Sequence, residues 1–598
     1  MAVPVRRASI VHSPTGLSER DIQLEAVMDG HDADIPCNDG FVLNPDEELQ
    51  LRRSISLRHE RAKLSRTNTA ESQKSEKPVL KRTVSNMFEK VRSRKSTIDS
   101  GSAPPRPQLT LKELEDAVAP GSRTSEEKDN IDEDPNTVWW DGPDDPENPR
   151  NWSPILKWSN IALISCITLL TPLASSICAP AMPEIMKEFG IKSSSLAAFT
   201  VSVYVLGFAL GPLVIAPLSE VYGRVPLYHI CNTCFVLCTV GCAKAQNTGM
   251  LIAFRFLCGV FGSCPITNGG GSIHDLVPAE KRGKVAGVFG MGPLLGPIIG
   301  PIGGGFLAQA KGWRWVFWLI TIASGFFTIT CYICIRETYA PAILERKTRR
   351  LRAKTGNPEL RSKLDTGRTK YDLLRHSIAR PLKILFRSPI VISFSIYLAV
   401  VYGYIYLLFT TITPMYTSVY HWNTGMTGLA YLGMGLGSFF SLIIFSHFSD
   451  SLMQKRAALD HAAIKPEYRL PPLIYGAILL PIGLFWYGWS ADAKVHWIMP
   501  IIGTVWMGMG ILLIFMCTLT YIVDSFTLYA ASALAANTVL RSIFGAFLPL
   551  AGTPMYNKLG IGWGNSLLGF IAIALAPIPL VFSRYGEYLR TRYEIKNL

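Results

Sequence analysis

The chain has 598 residues, a net charge of +14 and 48% hydrophobic residues. The charge is split: residues 1–157 hold 23 Lys/Arg against 28 Asp/Glu, net −5, and residues 158–598 hold 36 against 17, net +19. A basic portion this apolar excludes an ordinary soluble domain, and it points to a membrane protein rather than a nucleic-acid binder.

Residues 1–150 are rich in Ser, Arg, Asp and Glu without sustained apolar periodicity, and are expected to form a disordered cytoplasmic tail. A basic residue stands three positions before Ser or Thr at Arg6…Ser9, Arg53…Ser56, Arg66…Thr69 and Arg82…Ser85. Kinases that require arginine would find sites there, and phosphate would reverse the local charge. A Ser-rich charged tail also matches so short a pattern by chance. No signal peptide is expected, because the first apolar run starts near Trp158. The sequon Asn151-Trp152-Ser153 would be silent in the cytoplasm.

A helix needs roughly 20 apolar residues to cross the hydrocarbon core. Charge-free runs of that size lie at 158–183, 193–219, 225–243, 285–310, 315–335, 470–491, 495–523 and 559–583. Residues 388–449 are enough for two spans, with a break near Tyr420-His421-Trp422-Asn423. Two further spans each carry one arginine, about 248–274 with Arg255 and about 527–555 with Arg541, which makes twelve. With the N-terminus inside, the inner loops and C-terminal tail hold 27 Lys/Arg and the outer loops 7, so both termini are expected in the cytoplasm. Fifteen of the 27 lie between Arg336 and Arg387, while Lys311 and Arg314 fall outside against the trend.

Six spans, a basic segment and six more spans imply two related halves. The expected partition is a tail at 1–150, an N-terminal bundle at 151–335, a basic cytoplasmic linker at 336–387, a C-terminal bundle at 388–583 and a tail at 584–598. One trace of the repeat is visible: Gly207…Gly211 and Gly433…Gly437 occupy the second span of each half, and Gly207 and Gly437 precede Glu220 and Asp450 by thirteen residues. Eleven of the twelve cysteines lie in or beside spans; Cys331-x-x-Cys334 looks like half a metal site, but small apolar packing explains them better and no cofactor is expected.

Span five, 285–310, is charge-free yet rich in glycine and proline. Gly292, Gly296, Gly300 and Gly304 recur every fourth residue and would form one stripe bare of side chains, where another helix backbone can approach closely. Pro293, Pro297 and Pro301 would bend the rod, which membrane helices tolerate. Close packing alone accounts for such a stripe. The arrangement of Gly292, Gly296, Gly300, Pro301 and Gly304 also resembles the span-five antiporter motif of the major facilitator superfamily, which in that family marks proton-coupled exporters.

Further stretches carry the same resemblance. Ala216-Pro-Leu-Ser-Glu220-Val-Tyr-Gly223-Arg224 resembles the family's loop motif between spans two and three, with Ala216, Glu220 and Val225 departing from its pattern. Gly223 permits a tight turn, and Glu220 and Arg224 are placed to pair. With Asp275 and Arg282 they could form a charge cluster made in one conformation and broken in another. A plain surface salt bridge is the alternative, worth under about 1 kcal/mol. Arg255-Phe-Leu-Cys-Gly259 resembles the motif whose arginine the family associates with proton handling; a snorkelling arginine is the alternative. Trp140–Pro149, Arg336–Pro341, Pro466–Pro471 and Tyr529–Asn537 look like the fungal twelve-span drug:proton antiporter branch, which includes polyamine and multidrug exporters.

The resemblance implies an all-α membrane protein, twelve transmembrane helices in two six-helix bundles around a central cavity, with spans one, four, seven and ten lining it. Arg541 lies near the bilayer centre with Asn537 one turn away, either lining the cavity or clamping nearby carbonyls. Tyr402, Tyr404, Tyr406 and Trp506 are candidate wall residues, although lipid-facing or core packing explains each singly. Arg255, Asp524 and Arg541 are the proton-coupling candidates, yet no span carries an acid near its centre. The expected function is a proton-coupled exporter of small organic compounds in the plasma or vacuolar membrane, its partners being lipid, substrate, protons and kinases on the tail. A polyamine exporter, a passive or uptake carrier, and a membrane sensor are the rivals. No phosphate-cradling loop for a nucleotide pump occurs.

Overall fold

The computed structural model describes residues 136–593 apart from 278, 366, 368, 460–464 and 527–529. The tail sites at Ser9, Ser56, Thr69 and Ser85 lie outside the described residues. Helices α1 (Pro154–Ser176), α2 (Met182–Phe189), α3 (Ser194–Tyr222), α4 (Arg224–Ala243), α5 (Thr248–Leu276), α6 (Ala279–Lys311) and α7 (Trp313–Cys334) make the first half. Then come α8 (Ala340–Thr355) and α9 (Lys370–Arg387). The second half holds α10 (Pro389–Val419), α11 (Thr424–Leu429), α12 (Leu432–Leu459), α13 (Pro471–Asp492), α14 (Ile498–Ser525), α15 (Ala530–Leu575) and α16 (Pro577–Arg592).

Among the described residues eleven segments are long and apolar enough to cross a bilayer. The last, Ala530–Arg592, runs 63 residues and breaks at Gly560, where φ is 76° and ψ 169°. As one rod it would reach roughly 95 Å, about three hydrocarbon cores. Gly560 therefore divides it into two crossings, and the spans among the described residues number twelve. The expected break between spans seven and eight is also present: α10 ends at Val419, and His421 has a positive φ of 56°.

Glycine sets how the spans pack. A Cβ on Gly207 would come within 2.6 Å of the Phe256 carbonyl, and one on Gly211 would meet Val260 and Ser263, so α3 lies directly on α5. In the second half Gly433 meets Ile501 and Thr504, and Gly437 meets Val505 and Met509, which puts α12 on α14 in the same manner. The repeat trace thus marks equivalent helix contacts. Arg314, out of trend in charge, pairs with Glu188 at 2.6 Å. Donation from Trp313 Nε1 and the Arg314 cation outweigh burial and hold the Glu188 carboxyl below the usual carboxylate range.

Two expectations need correction. Residues 136–150 are not part of a structureless tail. Strand β1 (Thr137–Val138) pairs in parallel with β2 (Arg361–Ser362), and Lys347 of α8 reaches Asp141 at 2.7 Å and Asp145 at 3.2 Å. Glu147 faces Arg350 at 3.6 Å. Likewise 336–387 is not a plain linker: eleven of its fifteen arginines and lysines sit on two helices, and α8 takes the acidic stretch before α1 as its counter-charge.

Asp145 adds a pH dependence. Burial pushes its carboxyl up, but backbone N–H donors of Asp141 and Glu147 and the Lys347 ammonium more than offset this and hold it below the ordinary 3.8. Burial lowers Lys347, and its two carboxylate partners overcome that and hold it above 10.5. A depressed acid stabilises the fold above its unfolded pKa and loses that contribution as pH falls through the folded value; a raised base does so below its unfolded pKa and loses it as pH rises. The clip's contribution should therefore be complete between pH 3.8 and 10.5, and be lost only as pH falls through the still lower folded value of Asp145 or rises through the still higher one of Lys347. Amide exchange of 136–152, slow at pH 7, should accelerate in Asp145→Asn; unchanged protection would refute the clip.

Candidate functional site

The glycine stripe of span five is seated on a neighbour. On α6, a Cβ at Gly296 would lie 2.8 Å from the Leu169 carbonyl and the Leu173 nitrogen, and one at Gly300 2.8 Å from the Leu173 carbonyl and 2.7 Å from Ser176 Oγ. Gly292 faces Leu169 at 3.2 Å, and Gly304 abuts the Ile177 carbonyl. The stripe therefore lies along the backbone of α1, and Pro301 stays within the unbroken helix. The other side of α6 meets the second half: a Cβ on Gly428 would lie 2.6 Å from the Pro301 carbonyl, and Gln309 Oε1 accepts the Gly425 N–H at 2.9 Å. So α6 is held between α1 and the opposite bundle.

At the ends away from α8 and α9 the two halves touch. Ser195 Oγ donates to the Leu550 carbonyl at 3.2 Å, and Thr424 Oγ1 donates to Glu184 at 3.0 Å. Ser202 Oγ donates deeper, to the Ala546 carbonyl, at 2.7 Å.

The centre contains a polar thread between the halves. Arg255 is 1% exposed, so it does not snorkel. It donates to the carbonyls of Thr200 (2.7 Å), Val201 (3.0 Å), Ser175 (2.7 Å) and Ala174 (3.5 Å). Two of these lie in the last turn of α1, where a helix leaves carbonyls without intrahelical donors and favours a cation. No acid contacts it among the described residues, and through these carbonyls it clamps α1 and α3 on α5. Ser175 Oγ shares a 3.1 Å hydrogen bond with Tyr406 of α10. The Tyr406 ring lies 5.3 Å from that of Tyr402, and Arg541 stands over Tyr402 at 5.0 Å.

Tyr402, Tyr406, Arg541 and Asn537 are thus brought together, and two candidates are not. Tyr404 donates to the Leu568 carbonyl at 2.9 Å inside the second bundle, because it points away from the face that Tyr402 and Tyr406 share. Phe515 of α14 faces Arg541 at 5.1 Å, and Trp506, nine residues earlier, lies half a turn round on the opposite side of that helix. Asp524 is also removed from the centre: it pairs with Arg469 at 2.5 Å near the α8–α9 side, beside a second pair of Arg590 and Glu467 at 3.3 Å.

The loop charges on the α8–α9 side form a cluster with a different wiring. Arg224 pairs with Asp275 at 3.5 Å, stands over Tyr339 at 4.9 Å and donates to Ser219 at 3.0 Å. Glu220 lies within electrostatic reach of both Arg224 and Arg380 and hydrogen-bonds Ser377 of α9. The Arg282 and Asp450 side chains lie outside the described residues. Glu337, which sequence reasoning left unassigned, holds the cluster together. Its carboxylate accepts the Arg224 N–H at 2.9 Å and the Val225 N–H at 3.2 Å, which caps α4 at the positive end of its dipole. Gly223, with φ of 96°, is required there twice over, since a Cβ would lie 2.5 Å from Glu337 Oε2. A groove of about 580 Å³ opens alongside, lined by Trp139, Trp140, His274 and Asp275 among others. Glu337→Ala should cost about 1–2 kcal/mol by removing a charged cap, and the melting temperature of the purified protein should fall by a few degrees; an unchanged melt would contradict the capping role.

The family model described as Major Facilitator Superfamily matches residues 164–549. The chain is 53% identical over 465 residues to the MFS-type transporter tndD of Aspergillus flavipes, covering 77% of this chain and 86% of that protein. It is 50% identical over 466 residues to the efflux pump radE of Floropilus chiversii, covering 77% and 87%. Among solved structures, the partially occluded inward-open xylose transporter XylE of E. coli aligns with a TM-score of 0.53 at 16% identity, covering 72% of this chain and 99% of that one.

Proposed function

Because the chain belongs to the major facilitator superfamily, and so is a multi-pass membrane transporter of small molecules rather than an enzyme, we propose that it exports small organic compounds by alternating access, driven by protons. The observation that carries this reading is α6, whose bare stripe lies against α1 while its other side seats the opposite bundle. This is the helix whose motif resembles that of proton-coupled exporters, and one relative is itself called an efflux pump. Rocking of the two halves would break the Ser195–Leu550 and Thr424–Glu184 contacts and open the far side.

In this proposal the proton acts at the cluster rather than at the centre, where the thread holds arginines, tyrosines and a serine but, among the described residues, no carboxylate. Protonating Asp275 would release Arg224. The positive bias of 336–387 supports a cytoplasmic reading of that side, with phosphorylation of the tail as a regulatory input and the plasma membrane as the expected site. The test is efflux from expressing cells with and without a protonophore. Export against a gradient should stop when the proton gradient collapses, and Asp275→Asn should retain downhill movement while losing concentrative export. Protonophore-insensitive accumulation outside the cell would overturn the coupling.

A further inference from the structure

The two arginines inside spans have opposite surroundings. Arg255 is saturated with carbonyl acceptors. Arg541 receives no hydrogen bond acceptor and no carboxylate from the described residues, and its Nε is enclosed without a partner. Its neighbours are aromatic faces, Tyr402 at 5.0 Å and Phe515 at 5.1 Å. Four residues earlier on the same face of α15, Asn537 is 0% exposed, and both its Oδ1 and its Nδ2 lack a protein partner. Folded proteins leave few buried polar groups unpaired, and an uncompensated cation in an apolar setting costs more than a neutral group. Ring faces attract a guanidinium but offer its N–H groups no lone pair.

We propose that Arg541, Asn537, Tyr402 and Phe515 form the substrate subsite for an organic anion on a flat conjugated skeleton: a carboxylate, phenolate or enolate. The planar guanidinium presents its edge to two anionic oxygens, a geometry an ammonium cannot match. The flanking rings hold the plane of the fork and give apolar surface to the skeleton. Asn537 both donates and accepts, so it reads a hydroxyl or carbonyl beside the anion. The same cation repels a polyamine, which turns the substrate reading away from polycations. This inference rests on the exporter reading above for its role in transport, and on Arg541 and Asn537 alone for its chemistry.

The test uses the full chain in lipid nanodiscs and three planar acids, 1-naphthoate, anthracene-9-carboxylate and 4-phenylbenzoate, each against its methyl ester. Binding is read by tryptophan quenching at pH 7. At least one acid should bind tenfold or more tighter than its ester, and Arg541→Gln should erase the difference, with Arg541→Lys recovering part of it. Equal binding of acids and esters to the unmodified protein, or undiminished acid preference in Arg541→Gln, overturns the subsite and leaves water as the occupant of the cleft. Should Arg541→Gln fail to fold, the acid-to-ester ratio on the unmodified protein decides alone. Efflux separates this inference from its premise: export of esters without acid preference overturns the anion subsite and keeps the exporter, whereas acid binding without export of any compound does the reverse.

Discussion

Gly300→Leu should reduce efflux at least tenfold while leaving the protein at the membrane in normal amount. A Cβ there already lies 2.7 Å from Ser176 Oγ and 2.8 Å from the Leu173 carbonyl, closer than real side chains approach. A leucine must push α1 and α6 apart along their contact, and overpacking of that kind costs about 1–3 kcal/mol. The damage extends past packing, because α6 also seats Gly425 and Gly428 of the second half. A helix displaced from α1 presents the wrong surface to α11 and α12, so the far side either fails to seal or fails to part. Gly300→Ala should fall between, since its single methyl still meets the Leu173 carbonyl at 2.8 Å but forces the helices apart by less than a leucine does. Gly303→Leu is the control: a Cβ there meets nothing within 4 Å, and efflux should be unchanged. Surface biotinylation beside a substrate-panel efflux assay checks all three; full efflux from Gly300→Leu would refute the close-packed helix.

Arg255→Leu should lower thermal stability more than any other single change in the first bundle. The guanidinium joins α1, α3 and α5 through four carbonyls and stands over the Tyr204 ring at 5.5 Å. Removing it strips the end of α1 of its donors and leaves buried carbonyls unpaired, a loss on the order of 3 kcal/mol. Arg255→Lys should recover only part, because one ammonium cannot reach the carbonyls of both α1 and α3. The readout is the melting temperature in detergent, expected to fall by several degrees for Leu and by less for Lys. Since Ser175 also bonds Tyr406, the loss should spread across the thread between the halves. An unaltered melt in Arg255→Leu would show that the carbonyl clamp is dispensable.

What could be read from the residues follows from which interactions are local. Spans announce themselves because each needs some twenty apolar residues in a row, and the stripe from Gly292 to Gly304 is visible because its period matches a helix. The turn at Gly223 is legible for the same reason. Partners far along the chain are not. Glu337 caps a helix more than a hundred residues upstream, and nothing in Arg336-Glu337-Thr338 announces a cap. Arg255 and Arg541 look alike in sequence; only the end of α1 meeting the first, and ring faces meeting the second, separates a clamp from an open cation. The wall residues do carry a local signal: Tyr402 and Tyr406 are four apart and share a face, Tyr404 between them does not, and Trp506 stands half a turn from Phe515. The residues 136–150 read as tail because their charge has its counterpart on α8, two hundred positions away.

In the proposed alternating access, the far-side contact between the halves is made and broken once per transport cycle. Ser195→Cys with Leu550→Cys places a thiol on each half beside the contact in which Ser195 Oγ donates to the Leu550 backbone carbonyl at 3.2 Å. Efflux should stop when the two thiols are joined by a short bifunctional reagent with a reducible link, and return when the link is cut, while either single variant is unaffected. Undiminished efflux with the bridge shown to be complete would contradict alternating access through this interface.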